Sequence, residues 1–300
     1  SHAATARLGL ALMAGGMFLF AVNDTLGKWL VATHSVGQVL LIRSLAALLF
    51  LAPVLWAFGL RRLFVLERPG LQALRVVFST AEVFCFYLAV RDLPLADVMT
   101  FWLAAPIYVA ALAPLLLGER VRPLTWAAIV LGFAGVLVAL SPSGTLSGTG
   151  TLAAIIGSAC FAAMMITGRT LRGTPDSALV FWQLVGAALA GAVSAPLAWT
   201  QPSGTDWALL ALLGIVAMGA HLCVTRALKM ADAATVAPLQ YTLLPWAMIL
   251  GWLTFGDVPR PVMLLAGAAI VLAGLLLALP ERARRNAGRP PPQTRKAGHR

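Results

Sequence analysis

The sequence predicts an all-α membrane protein, with ten transmembrane helices arranged as two inverted five-helix repeats. Of its 300 residues 60% are hydrophobic and only 11% charged, with a mean hydropathy of +0.88, too apolar to clothe a water-exposed surface of this size. The apolar residues run in long uninterrupted stretches instead of alternating with period two, which selects helices over a β-barrel. The stretch Leu117-Gly118-Glu119 with Pro123 and Gly135 recurs as Phe255-Gly256-Asp257 with Pro261 and Gly274, a shift of about 138 to 139 residues. A repeat half the chain long is how many membrane bundles are built.

Stretches of about 20 apolar residues place the spans at 8–30, 36–58, 71–91, 95–117, 124–140, 149–169, 177–199, 207–228, 233–255 and 261–280. Each is long enough to cross about 30 Å of hydrocarbon at 1.5 Å per residue. The first apolar segment lacks a small-residue cleavage site and is expected to remain as a membrane helix. The first repeat is expected over 1–142 and the second over 143–280. Residues 281–300 form a Pro-rich tail holding Arg282, Arg284, Arg285, Arg289, Arg295, Lys296 and Arg300, read as disordered, cytoplasmic and attracted to anionic lipid headgroups.

Orientation follows from Lys and Arg. With the N-terminus inside, one side collects Arg7, Arg61, Arg62, Arg68, Arg75, Arg120, Arg122, Arg169, Arg172, Arg226, Lys229 and the tail, while the other holds Lys28, Arg91 and Arg260. Both termini are therefore expected in the cytoplasm. Five spans per repeat then force the second copy to insert upside down. Basic charge outside the tail forms no stripe interleaved with aromatics, so nucleic acid is not an expected partner. Cys85, Cys160 and Cys223 lie singly in apolar runs and read as packing residues, and no metal-ligand cluster, Walker loop, HExxH or GxSxG motif is present. Neither an enzyme's chemistry nor a cofactor is indicated.

The run from Ala227-Leu228-Lys229 to Asp257-Val258-Pro259, with Ala237-Pro238-Leu239-Gln240-Tyr241 and Pro245-Trp246, resembles helices eight and nine of EamA-type transporters of the drug/metabolite transporter superfamily. Leu88-Ala89, Leu93-Pro94, Pro106 and Gly118-Glu119-Arg120 resemble helices three and four, and Arg43 matches the arginine of helix two. The resemblance covers nearly the whole chain. It implies ten helices around a central cavity with helices five and ten peripheral, and an activity like that of exporters of aromatic and other amino acids. The copies differ in one respect: Pro245 stands 12 residues before Asp257, Pro106 13 before Glu119.

Ionisable groups inside spans are costly, so Asp24, Arg43, Glu82, Asp97 and His221 are the first candidates. Glu82 lies about 16 Å into helix three, near the midplane, and His221 occupies the matching place in helix eight. The two could face each other to bind an amino and a carboxylate group or pass a proton, or each could simply hydrogen-bond a neighbouring helix. Asp24 and Lys28, four apart, read as a surface ion pair. Arg43, whose counterpart in the second copy is Gln183, reads as structural, bonding carbonyls or a carboxylate such as Asp24, with a substrate-carboxylate role as the lesser reading. Asp97 reads as a helix N-terminal residue favoured by the dipole. Pro106 and Pro245 are expected hinges, because each leaves a carbonyl without its amide partner. Ahead of them Trp102, Gln240 and Tyr241 are expected to line the site, partly on the resemblance, with Phe18, Met17, Phe161 and Met164 as an adaptable apolar wall.

Together these features predict a multi-pass inner-membrane carrier for a small solute, an amino acid or similar metabolite, exported if the resemblance holds, with membrane lipids as neighbours and the oligomeric state left open between a monomer, slightly favoured, and a dimer. Uptake of a metabolite such as S-adenosylmethionine is the alternative within this class. An intramembrane lipid-modifying enzyme is the alternative outside it.

Overall fold

The computed structural model describes residues 2–64, 66, 68–105, 107–108, 112, 123–139, 148–171, 173–230 and 237–273. Every regular element among these residues is helical. The α-helices are α1 (His2–Val31), α2 (Val36–Phe58), α3 (Pro69–Asp92), α4 (Leu95–Leu103), α5 (Pro123–Ala139), α6 (Gly148–Thr170), α7 (Asp176–Ser194), α8 (Gly204–Met230), α9 (Leu243–Phe255) and α10 (Pro261–Ala273). Local chemistry fixes several ends. The Ser35 hydroxyl accepts the Gln38 N–H at the start of α2. Pro69 sits in the first turn of α3, where no amide is needed, and Gly256 takes the left-handed conformation (φ 69°) that stops α9.

Among the described residues six helices are long and apolar enough to cross a membrane: α1, α2, α3, α6, α7 and α8. Within their described residues the expected fourth and ninth spans are not continuous α-helices. Span four breaks at Ala104, whose N–H turns back to the Phe101 carbonyl at 3.2 Å, and helical bonding resumes at Ile107. The described part of span nine begins with a 3₁₀ segment, Ala237–Thr242, followed by α-helix from Leu243, with the Thr242 hydroxyl donating to the Leu239 carbonyl at 2.6 Å. The two discontinuities fall at corresponding points of the internal repeat. The tail 281–300 lies outside the described residues.

Packing follows the repeat. Helix α1 packs on α8 and α6 on α3, while α2 packs on α7 and α4 on α9. Exchanging the two halves of the chain therefore returns the same set of neighbours. Gly16 lies against Cys223 and Val224 of α8, and Gly157 against Cys85 of α3 and the Trp102 indole; at both crossings a Cβ would collide. Without a hydrophobic drive between helices in lipid, such small residues are what let the backbones approach. Gly135 of α5 similarly receives Ile270 and Ala266 of α10.

One end of the bundle, marked by Lys28, is tied by polar contacts. Lys28 Nζ donates to the Leu93 carbonyl at 3.3 Å, and Thr149 Oγ1 to Asp92 Oδ2 at 2.9 Å, so the last turn of α1 and the first turn of α6 meet the same end of α3. Lys28 also pairs with Asp257 at 2.5 Å and lies 4.7 Å over the Phe255 ring. Arg260 pairs with the buried Asp97 at 3.0 Å. Nearby, Gln38 exchanges two hydrogen bonds with the Thr200 backbone, joining α2 to the end of α7. At the opposite end the Trp182 indole donates to the Leu63 carbonyl at 2.9 Å.

This overturns the expected Asp24–Lys28 pair. Asp24 is buried and accepts from Asn23 Nδ2 at 2.9 Å, while Lys28, a full turn nearer the end, extends across the bundle to a residue 229 positions away. Four-residue spacing puts two side chains on one face but does not decide which neighbours each meets.

Candidate functional site

The interior of the bundle holds two polar contacts that sequence spacing does not reveal. Glu82, halfway along α3, accepts the Trp102 indole N–H at 2.7 Å. Trp102 can reach it because the short α4 returns directly beside α3, and because Gly157 on α6 leaves room for the indole. Phe86 closes over the same indole edge-on, with ring centroids 5.4 Å apart. The carboxyl is thus held at the edge of an indole that Phe86 backs, a carboxylate and aromatic rings in one place, which suits a cationic or ammonium group.

Beside it Arg43 of α2 donates to the hydroxyl of Tyr87, a fully buried residue one turn beyond Glu82 on α3, and its guanidinium lies 5.5 Å from the Tyr87 ring centre. Asp24, Glu82 and His221 all lie within electrostatic range of Arg43. Glu82 and His221 are not brought into contact: His221 packs edge-on against Phe20 at 4.8 Å, and Arg43 is the charge both of them feel. Arg43 and His221, with Gln183 of α7, line a cavity of about 30 Å³ between α2, α7 and α8.

The remaining expected residues are distributed more widely. Phe18 of α1 is partly exposed and meets Trp246 of α9 edge-on at 5.0 Å. Met17 is buried with Met13 and Ala227, a separate apolar cluster, and Phe161 packs beside Ala105 and Ala162. Met164 is half-buried on α6 and Tyr241 half-buried against the main core. Pro245 occupies the first turn of α9, directly after the 3₁₀ segment. Pro106 and the side chain of Gln240 lie outside the described residues. Asp97 does sit in the first turn of α4 as expected, with Arg260 added as a partner.

Three participants escaped the sequence reading. Tyr87 looks like one more aromatic in an apolar helix, and only its register, four residues after Val83 and five after Glu82, hints that it shares their region. Asn23 was overshadowed by its charged neighbour. Arg75, counted among the basic residues of one face, lies inside α3, donates to the Leu179 carbonyl at 3.4 Å and is sensed by His221. Among the described residues no three His, Cys, Asp or Glu side chains gather to hold a metal.

Comparison with known proteins agrees with this architecture. The chain is 29% identical over 237 residues to a riboflavin transporter of Rhizobium johnstonii, covering 74% of this chain and 78% of that protein. It is 28% identical over 280 residues to the pseudopaline exporter of Pseudomonas aeruginosa (90% and 95% covered) and 25% identical over 277 residues to an S-adenosylmethionine uptake transporter of Rickettsia felis (89% and 92%). A solved crystal structure, 20% identical, superposes with a TM-score of 0.60 over 94% of this chain and 99% of the other, which shows a shared fold. The EamA-like transporter family matches twice, over residues 7–141 and 148–279, and so accounts for both copies of the repeat. The chain belongs to the EamA-like transporter family.

Proposed function

We propose that this protein is a secondary carrier that moves an amino acid, aromatic side chains included, or a similar small metabolite across the inner membrane by alternating access. The observation that carries the reading is the Glu82–Trp102 contact, a carboxyl and an indole N–H held together in the interior of a chain made of two family copies. An ionisable residue is kept in such a place at a cost, and solute recognition is the usual reason. The related proteins named above handle riboflavin, pseudopaline and S-adenosylmethionine, all small organic solutes.

In this reading the two copies, 1–142 and 143–280, are inverted relative to each other, ten spans cross the membrane, and both termini are cytoplasmic. The exchange of helix neighbours between halves supports it, as does the meeting of the last turn of α1 with the first turn of α6. The ion pairs Lys28–Asp257 and Arg260–Asp97 then close the outer mouth. Glu82, Trp102, His221, Gln240 and Tyr241 surround the solute, with Phe18 and Met164 as wall, and the broken fourth and ninth spans near Pro106 and Pro245 flex as the site changes sides. Asp24 and Arg43 hold the charge balance between them.

Uptake is the second reading, favoured by the likeness to the S-adenosylmethionine uptake transporter and by the aromatic pair Trp102 and Phe86 next to the Glu82 carboxyl, which suits a sulfonium. A lipid-modifying enzyme fits less well, because Asp24, Glu82 and His221 lie around Arg43 in the interior, while the charged residues at the Lys28 end are paired with one another. Counterflow of radiolabelled amino acids, S-adenosylmethionine and riboflavin into proteoliposomes tests the proposal. Saturable exchange of amino acids supports it. Exchange of S-adenosylmethionine alone moves the protein to the second reading, and no exchange of any solute refutes the carrier assignment.

A further inference from the structure

Among the described residues, the intramembrane guanidinium of Arg43 has no carboxylate contact. Asp24 and Glu82 are close enough to influence it, yet among the described residues Arg43 forms no ion pair, and its hydrogen bond goes to a neutral phenol, Tyr87. A guanidinium carries five N–H donors in a planar fork. Leaving most of them unused inside a membrane protein is costly, and folding would favour a direct carboxylate pair if structure were the residue's only task.

The unused donors have somewhere to go. The cavity between α2, α7 and α8 is lined by Arg43, Gln183 and His221, and neither the Gln183 amide nor the His221 ring makes a hydrogen bond among the described residues. None of the three is sealed without a partner in apolar packing. Their free hydrogen-bonding capacity therefore opens into shared space. Gln183 is also the repeat counterpart of Arg43, on the helix that α2 packs against, so each copy contributes one planar hydrogen-bonding group to the cavity, the guanidinium fork of Arg43 and the amide N–H donors of Gln183. At about 30 Å³ the space holds roughly one water as it stands, and an anionic group of similar size could take that place.

From this we infer that Arg43, Gln183 and His221 form a subsite for the carboxylate of the transported solute, with Tyr87 holding the guanidinium in position. A planar fork matches a carboxylate in a way that a point charge does not. Glu82, bonded to Trp102 and within electrostatic range of Arg43, then takes the solute's ammonium group, so the substrate class is zwitterionic. This inference rests on the carrier reading.

The test uses the full chain in proteoliposomes and two radiolabelled pools, α-amino acids and the corresponding decarboxylated amines. The amino acids should exchange and the amines should not. Gln183→Leu should raise the half-saturation concentration for amino acids about tenfold or more, as expected for one lost charge-assisted hydrogen bond, with little change in maximal rate. Arg43→Lys, which keeps the charge and loses the fork, should act in the same direction. Exchange of amines as good as that of amino acids, or an unchanged half-saturation in Gln183→Leu, overturns the subsite and leaves the carrier standing. Exchange of neither pool removes the amino-acid carrier and the subsite together.

Discussion

Replacing Lys28 by alanine should open the end of the bundle that its side chain ties shut. Its ammonium is 2.5 Å from Asp257, with the two side chains 14% and 25% exposed, and it also donates to the Leu93 carbonyl and covers the Phe255 ring. At an effective dielectric of about 20 the bare Coulomb attraction over that distance is about 7 kcal/mol. Desolvation offsets most of it. An exposed pair contributes about 0–1 kcal/mol and breaking a buried one costs about 3–5, so a partly buried pair with a carbonyl and a ring should be worth about 1–3 kcal/mol. That lowers the closed-to-open ratio by about five- to 150-fold. The assay places a cysteine at Leu95, fully buried beside Gly251 at this end, in a chain whose Cys85, Cys160 and Cys223 are replaced, and follows its reaction with a membrane-impermeant maleimide. Labelling should quicken by that factor in Lys28→Ala and return towards the parent rate when Lys28→Asp is combined with Asp257→Lys. A rate unchanged by Lys28→Ala would refute the view that this pair holds the mouth closed.

Other expectations follow from the interior. Trp102→Phe keeps the stack on Phe86 but deletes the N–H that Glu82 accepts; loss of a bond to a charged group costs about 1.5–3 kcal/mol, so solute half-saturation in counterflow should rise about 10- to 150-fold. Gly157→Val drives a side chain into the Trp102 indole and should reduce exchange as severely as Trp102→Phe while the protein still elutes as one species. Gly214→Val is worse placed, because its neighbour is the backbone carbonyl of Arg43, which cannot rotate away; failure to purify as a monodisperse peak is expected.

The helices were far more legible than the contacts between them. Hydropathy alone delimits α2 at 36–58 and brings α3 and α6 to within two residues at each end, since a run of lipid-compatible residues and its polar borders are local properties. The breaks at Ala104 and at Thr242–Leu243 were not located, because both lie in stretches as apolar as any continuous helix; the nearby prolines pointed to the region only. Glu82 and Trp102 stand out singly as a costly charge and a large aromatic, but nothing across their separation of 20 positions says that one bonds the other. For the same reason the four-residue spacing of Asp24 and Lys28 points to the wrong carboxylate. Its partner Asp257 is brought near by the packing of α1 on α9, and local spacing carries no trace of that.

The central claim is that this chain carries a solute through a site centred on Glu82. Counterflow of radiolabelled amino acids into sealed proteoliposomes, wild type beside Glu82→Gln, tests it most directly. The account predicts saturable exchange of one group of amino acids by the wild type and its loss in Glu82→Gln. Exchange undiminished in that variant would contradict the site, and no exchange by the wild type with any amino acid would contradict the proposed substrate.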